Sequence, residues 1–219
     1  MASRPLLLGH RGWRSRSLRI RENTLAAFDL ALEHGCDGFE FDVRLTADSR
    51  PVVCHGSRFA GITIARATGE RLGALPILDN VLARYASRAF LDIELKVAGI
   101  EPFVLGALSK FPLHRGYVVS SFLPGVLVDL RTRSQSVPLG IICETRKQLS
   151  VWRELPVEFV MVHERLVTSR LIADLHLAGK KVFAWTINKK ASMLRLAKYG
   201  VDGIISDKAE LLAATFRAG

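Results

Sequence analysis

Two short stretches of this chain carry acids on alternate residues. One runs Gly38-Phe39-Glu40-Phe41-Asp42-Val43-Arg44, the other Phe90-Leu91-Asp92-Ile93-Glu94-Leu95-Lys96. In an extended strand, residues two apart share a face. Glu40, Asp42 and Arg44 therefore oppose Phe39, Phe41 and Val43, just as Asp92, Glu94 and Lys96 oppose Leu91, Ile93 and Leu95. Carboxylates gathered on one buried face repel one another, and each is costly unless paired. One divalent cation would resolve the conflict, and hard oxygen ligands suit Mg²⁺, Ca²⁺ or Mn²⁺ rather than zinc. The competing arrangement is an internal salt-bridge network in which Arg11, Arg44 and Lys96 neutralise the acids. Two separate acid-x-acid strands and two histidines at strand ends, His10 and His55, weigh against that network. Imidazoles titrate near neutrality and suit general acid–base work. Arg11 and Lys96 add fixed positive charge, which with a cation makes a clamp for an anion such as phosphate.

These residues must be positioned by strands, and strands are what surround them. Apolar runs of strand length alternate with amphipathic helical stretches along the chain. Strands are expected at 5–9, 38–44, 51–55, 90–95, 117–122, 138–143, 158–163, 181–187 and 203–207. The first helix is expected over 22–35, with Asn23 or Thr24 near its cap and Gly35 as its stop. Only five residues, "TADSR", join Leu45 to Pro51. That is too short for a parallel crossover, so 51–55 is read as a hairpin arm folding back on 38–45. With the turn near Asp48, residue 55 falls opposite residue 41, which brings His55 beside Glu40 and Asp42. Eight strands remain, each followed by a helix or a helix-containing excursion. The expected fold is α/β, a (β/α)8 TIM barrel with a β-hairpin extension after the second strand; the competing layout is an open doubly wound sheet. Barrel chemistry sits at the C-terminal strand ends. Those ends carry His10, the two acid pairs, His55, Ser120, Ser121, Glu144, His163, Trp185, Asn188, Ser206 and Asp207.

With no linker or compositional break, residues 1–219 read as one domain with a short insertion at about 56–75. The apolar fraction of 49% is ample for a packed core, and excludes a disordered or fibrous chain. Lys and Arg number 31 against 21 Asp and Glu, a net +10 that favours anionic partners without choosing among them. Arg14, Arg16, Arg19 and Arg21 form a basic run, read either as a rim that draws in anions or as a solvated loop. Nucleic-acid binding has net charge alone behind it, with no recognised motif and no aromatic–basic strip. Three cysteines without metal spacing suit a reducing compartment and point away from structural zinc. The run "PLLLG" is too short for a signal-peptide core or an integral membrane segment, so the chain is read as cytoplasmic. No feature sets an oligomeric state.

The motifs "GHRG", "ENTLAAFDLALEHGCDGFEFDVRLTAD", "PVVCH", "LDIELK", "VFAWTIN" and "GVDGIISD" occur in that order from Gly9 to Asp207. In combination they resemble the glycerophosphodiester phosphodiesterases, a family of metal-dependent hydrolases on TIM barrels. The resemblance implies one divalent cation held by Glu40, Asp42 and Glu94, with His10 and His55 as the acid–base pair. It implies Arg11 and Lys96 as phosphate contacts and Trp185 at the glycerol or alcohol moiety. The implied reaction takes a small-molecule phosphodiester to glycerol 3-phosphate and an alcohol, and the resemblance favours a cyclic phosphate as first product. The chain departs from the family pattern at Gly56, where Asp usually follows the histidine, and at Arg21, where Pro usually precedes "ENT". The 56–76 segment also lacks the usual Arg-Thr-Thr. Three rival functions share these residues: a lysophospholipase-D-like phosphodiesterase, a barrel isomerase or lyase needing neither metal nor histidine pair, and a non-catalytic glycerol-phosphate-binding barrel.

Overall fold

The computed structural model describes residues 4–15 and 17–217. Its elements in chain order are β1 (Leu6–His10), α1 (Leu25–Glu33), β2 (Gly38–Leu45), β3 (Pro51–Val53), β4 (Arg58–Phe59), β5 (Ile62–Thr63), α2 (Leu78–Tyr85), β6 (Phe90–Leu95), α3 (Glu101–Leu108), β7 (Tyr117–Ser121), α4 (Pro124–Arg133), β8 (Leu139–Cys143), α5 (Arg146–Ser150), β9 (Phe159–His163), α6 (Ser169–Leu177), β10 (Lys181–Trp185), α7 (Lys190–Tyr199), β11 (Gly203–Ser206) and α8 (Ala209–Phe216). The parallel strands run β1-β11-β10-β9-β8-β7-β6-β2, and pairing of β1 with β2 closes the ring. This is a TIM barrel. Among the described residues no helix is long and apolar enough to cross a membrane.

Alternation along the strands sorts side chains into two cores. Outward residues such as Phe39, Phe41, Val43, Leu91, Ile93 and Leu95 pack beneath the helices in the main apolar cluster. Inward residues fill the base of the barrel: Leu8, Phe90, Val118, Ile142, Phe159, Met161, Phe183 and Ile205. Two glycines there meet phenylalanines closely. A Cβ on Gly38 would stand 1.8 Å from the Phe90 carbonyl oxygen, and one on Gly203 would stand 2.7 Å from the Phe183 ring. The apolar plug excludes water from below, so the next inward layer, the acids, opens only upward.

The hairpin arm lies where the sequence places it. β3 runs antiparallel to the upper half of β2, with Val43 opposite Val53 and Leu45 opposite Pro51. β1 pairs with the lower half of the same edge, as far as Glu40. The Cys54 N–H donates to the Asp42 carbonyl at 2.9 Å, which extends the pairing up to His55. The small hairpin β4–β5 is absent from the sequence-based expectation. Its strands are two residues each, too short for periodicity to register. It rests on a satellite cluster of Val52, Ile64, Ala67 and Leu72.

Candidate active site

Four inward carboxylates stand at the top of β2 and β6: Glu40, Asp42, Asp92 and Glu94, all buried. The strands pair Glu40 with Asp92 and Asp42 with Glu94. Glu40, Asp42 and Glu94 each offer an oxygen, and these atoms lie within 4.8 Å of one another. Glu40 Oε1 and Asp42 Oδ1 are buried without a hydrogen-bond partner. Burying such an acceptor unpaired is costly. Two orphaned oxygens beside a third acid form the donor set that a hard cation takes, so these residues fit a divalent metal.

The electrostatics carry the same strain. Burial and the charges of Asp42, Glu94 and Asp92 push the Glu40 carboxyl well above the usual range. Burial, then Asp42, pushes Glu94 up to about 7 even though Lys96 opposes it. Asp92 also rises to about 7 through burial, against a hydrogen bond from the Ser120 hydroxyl at 2.6 Å. Asp42 alone of the four moves down: burial works against its charge, but Arg11 and Lys96 prevail. Arg11 Nε lies 3.3 Å from Asp42 Oδ2, and Lys96 Nζ lies 2.6 Å from Glu94 Oε1 and 3.3 Å from Asp42 Oδ1. The salt-bridge network therefore exists in part, yet two cations against four acids leave a deficit of positive charge.

Arg44 is not part of it. Its guanidinium turns away from the acids and donates to the His55 carbonyl from Nε at 2.9 Å and from Nη2 at 2.7 Å. The competing salt-bridge arrangement therefore does not hold for Arg44. Near the strand's end, the long side chain reaches across to the hairpin arm, where a bare carbonyl is closer than the charges.

The turn after β1 brings the remaining groups in. Arg11 (φ 56) and Asn23 (φ 58) are both left-handed. That conformation costs an L-residue roughly 1–2 kcal/mol, least for Asn. It aims the Arg11 N–H at Glu40 Oε2 (3.0 Å), while Asn23 Nδ2 donates to Asp42 Oδ2 (2.8 Å). Thr24, not Asn23, caps α1, accepting from the Ala27 N–H. Asn23 is thereby free to hold Asp42.

The two histidines are held differently. His10 Nε2 stands 3.7 Å from Glu40 Oε2, and its Nδ1 meets Asp207 Oδ1 at 2.7 Å. Asp207 is in turn held by the Asn188 amide at 2.8 Å. Burial opposes the Asp207 charge, but His10, Asn188 and Arg14 keep the carboxyl near 2. His55 is exposed, and among the described residues no hydrogen bond reaches its ring. Partial burial, with Arg11 and Lys96 opposing Asp42, lowers its pKa. His10, Arg11, Glu40, His55, Glu94 and Lys96 line one cavity of about 260 Å³, whose apolar wall includes Trp185 and Phe122. Trp185 packs edge-on to Phe122 at 5.6 Å and to His163 at 4.9 Å, and donates from Nε1 to the Met161 carbonyl. His163 itself accepts from the Arg165 N–H and stands behind the tryptophan.

The structure thus brings together all eight residues singled out in the sequence: His10, Arg11, Glu40, Asp42, His55, Glu94, Lys96 and Trp185. It adds Asp207 and Asn23 as their supports. Asp207 was visible only as a polar residue at a strand end. Its meaning depends on closure of the barrel, where pairing of Gly9 with Ser206 sets Asp207 beside His10.

Residues 10–77 and 94–211 match the model of the Glycerophosphoryl diester phosphodiesterase family. The chain is 31% identical over 245 residues to a glycerophosphodiester phosphodiesterase of Caldanaerobacter subterraneus, covering 98% of each chain. A glycerophosphodiester phosphodiesterase of Bacillus altitudinis is 26% identical, over 92% of this chain and 94% of that one. Among solved structures, the glycerophosphodiester phosphodiesterase of Thermotoga maritima superposes with a TM-score of 0.80 at 25% identity, over 98% of this chain and 99% of that one. An Oleispira antarctica phosphodiesterase, solved with the product sn-glycerol-3-phosphate, superposes with a TM-score of 0.84 at 24% identity, over 98% of both chains, and attests the shared fold. By extent of match and by identity, the chain belongs to the glycerophosphoryl diester phosphodiesterase family.

Proposed function

We propose that this chain hydrolyses glycerophosphodiesters to glycerol 3-phosphate and an alcohol, with one divalent cation, Mg²⁺ or Ca²⁺ with Mn²⁺ as a further option, and with His10 and His55 as the acid–base pair. The observation that carries the reading is the convergence of Glu40, Asp42 and Glu94, with two orphaned buried oxygens, between those histidines. Glu40, Asp42 and Glu94 would hold the cation, which supplies Lewis-acid neutralisation of phosphoryl charge. Arg11 and Lys96 share that load at the phosphate oxygens, and their fixed placement against the acids means little reorganisation as charge develops. The wall of Trp185 and Phe122 excludes water from one side and orients the glycerol or alcohol arm.

Proton transfer falls to the two imidazoles. One takes a proton from the nucleophile, a water or the glycerol 2-hydroxyl, and the other gives one to the departing alkoxide. Asp207 fixes the His10 ring through Nδ1, leaving Nε2 turned toward the cavity. His55 is placed through its backbone by Arg44 rather than through its ring. His10→Ala and His55→Ala are each expected to lower kcat by ~10²–10⁴-fold. Turnover near wild type in either variant removes that residue from the mechanism. Rapid quench with a glycerophosphodiester separates the routes: a transient cyclic phosphate means attack by the 2-hydroxyl, and its absence means direct attack by water.

A further inference from the structure

A second cavity, a groove of about 820 Å³, opens beside the acid site and shares His55 with it. Its walls are the β1–α1 loop, the hairpin β4–β5 and the start of α8, and its rim carries Arg14, Arg21, Arg58 and Lys208. The two acids that line it, Glu22 and Asp207, are already engaged. Glu22 gives one oxygen to Arg11 and the other to Arg14, while Asp207 holds His10 and Asn188. Arg21 lies over the Phe59 ring at 5.9 Å, and Arg58 donates to the Gly61 carbonyl. Neither these two arginines nor Lys208 forms an ion pair among the described residues. Gly56, which follows His55, contributes no carboxylate either. Arg14 is paired with Glu22 and Asp207, which leaves Arg21, Arg58 and Lys208 as three rim cations that no acid on the groove's walls pairs among the described residues. A cleft of one sign focuses its field on a ligand of the opposite sign, and guanidinium forks match carboxylate and phosphate geometry.

We propose that this groove receives the alcohol arm of the substrate and selects alcohols bearing an anionic group, a phosphate or a carboxylate, over uncharged or cationic ones. The inference rests on the hydrolase reading above. A diester held at the acids with one arm against Trp185 must extend its other arm past His55, and that path leads into the groove. The small cavity suits the compact, invariant glycerol phosphate, and the large one a variable alcohol.

The test compares three diesters: bis(glycerophospho)glycerol, whose alcohol arm carries a second phosphate, glycerophosphoglycerol, which lacks it, and glycerophosphocholine, whose arm is cationic. At low ionic strength kcat/KM is expected to favour the first over the second by about tenfold, one well-placed charged contact, with choline last. In the Arg21→Gln/Arg58→Gln double variant that ratio should fall to about twofold or less, since the contact is gone. Equal kcat/KM across the three diesters, or a ratio kept by the double variant, overturns the proposal. So does a double variant that loses affinity for phosphatidylserine-containing vesicles while its substrate ratio stays unchanged, because the rim would then face a membrane. Calorimetric binding of the same three diesters to His10→Ala separates this inference from the hydrolase reading. The same order of affinities without turnover by wild type upholds the groove and sinks hydrolysis; equal affinities overturn the groove alone.

Discussion

Asp92 and Asp207 stand at the same end of the barrel and are held in opposite states. Asp92 is sealed among acids and its carboxyl sits near 7, whereas Asp207 is held by an imidazole and an amide near 2. The sign of the Asp92 effect follows from linkage. Below about pH 4, the ordinary aspartate value, folded and unfolded chains are both protonated there and the residue is neutral to stability. Between that value and 7 the unfolded chain releases a proton that the folded one retains, so the cost to folding grows with pH and is complete above 7. Asp92→Asn is therefore expected to raise Tm in chelator at pH 8 and to leave it unchanged near pH 3.5. A gain of equal size at both pH values would show that charge is not the cause. Asp207→Asn removes the negative charge and leaves one acceptor oxygen where two now serve His10 and Asn188. The predicted outcome is a fall in kcat of about 10–100-fold with little change in KM, smaller than the loss in His10→Ala. At this scale the sequence was legible wherever alternation along one strand was enough, as for Glu40, Asp42 and Glu94. The contacts it did not disclose cross between distant segments: Asp207 with His10, Asn23 with Asp42, and Arg44 with the His55 carbonyl.

Elements turn these residues into a site by holding backbones at fixed heights. Gly38 is the foot of β2, and its hydrogen atom is all that fits against the Phe90 carbonyl. Gly38→Ala should destabilise the fold by about 1–3 kcal/mol or prevent folding, read as a shift in denaturant midpoint. An unshifted midpoint would mean that β2 and β6 are not packed as described. Arg44 ties the hairpin arm to β2 at the one point where His55 needs placing, because Gly56 leaves the arm without a side chain there. Arg44→Met keeps the aliphatic stem and removes both hydrogen bonds. It is expected to lower kcat several-fold at unchanged metal affinity; a matching loss of metal affinity would instead place Arg44 in the acid cluster. The barrel was legible because each of its eight strands is four or more residues long, and the arm because the link "TADSR" is too short for a crossover. The β4–β5 hairpin was not, since two-residue strands carry no period.

On the scale of the whole molecule, the surplus of ten positive charges acts before any contact is made. Fields of this kind reach about 10 Å at 0.1 M salt and about 3 Å at 1 M. For an anionic diester, kcat/KM should fall by roughly tenfold between low and high salt, mainly through KM. A flat salt profile would restrict the role of the basic surface to solubility. Arg16, one of the basic run noted in the sequence, lies outside the described residues. The central claim concerns the acids, and its most direct test is the release of glycerol 3-phosphate from a glycerophosphodiester, in excess EDTA and then on stepwise addition of Mg²⁺, Ca²⁺ or Mn²⁺, by wild type and Glu94→Ala. The account predicts no release in chelator, recovery with one of these cations, and a half-saturating concentration at least about tenfold higher in the variant. Release at the full rate in excess chelator would contradict it.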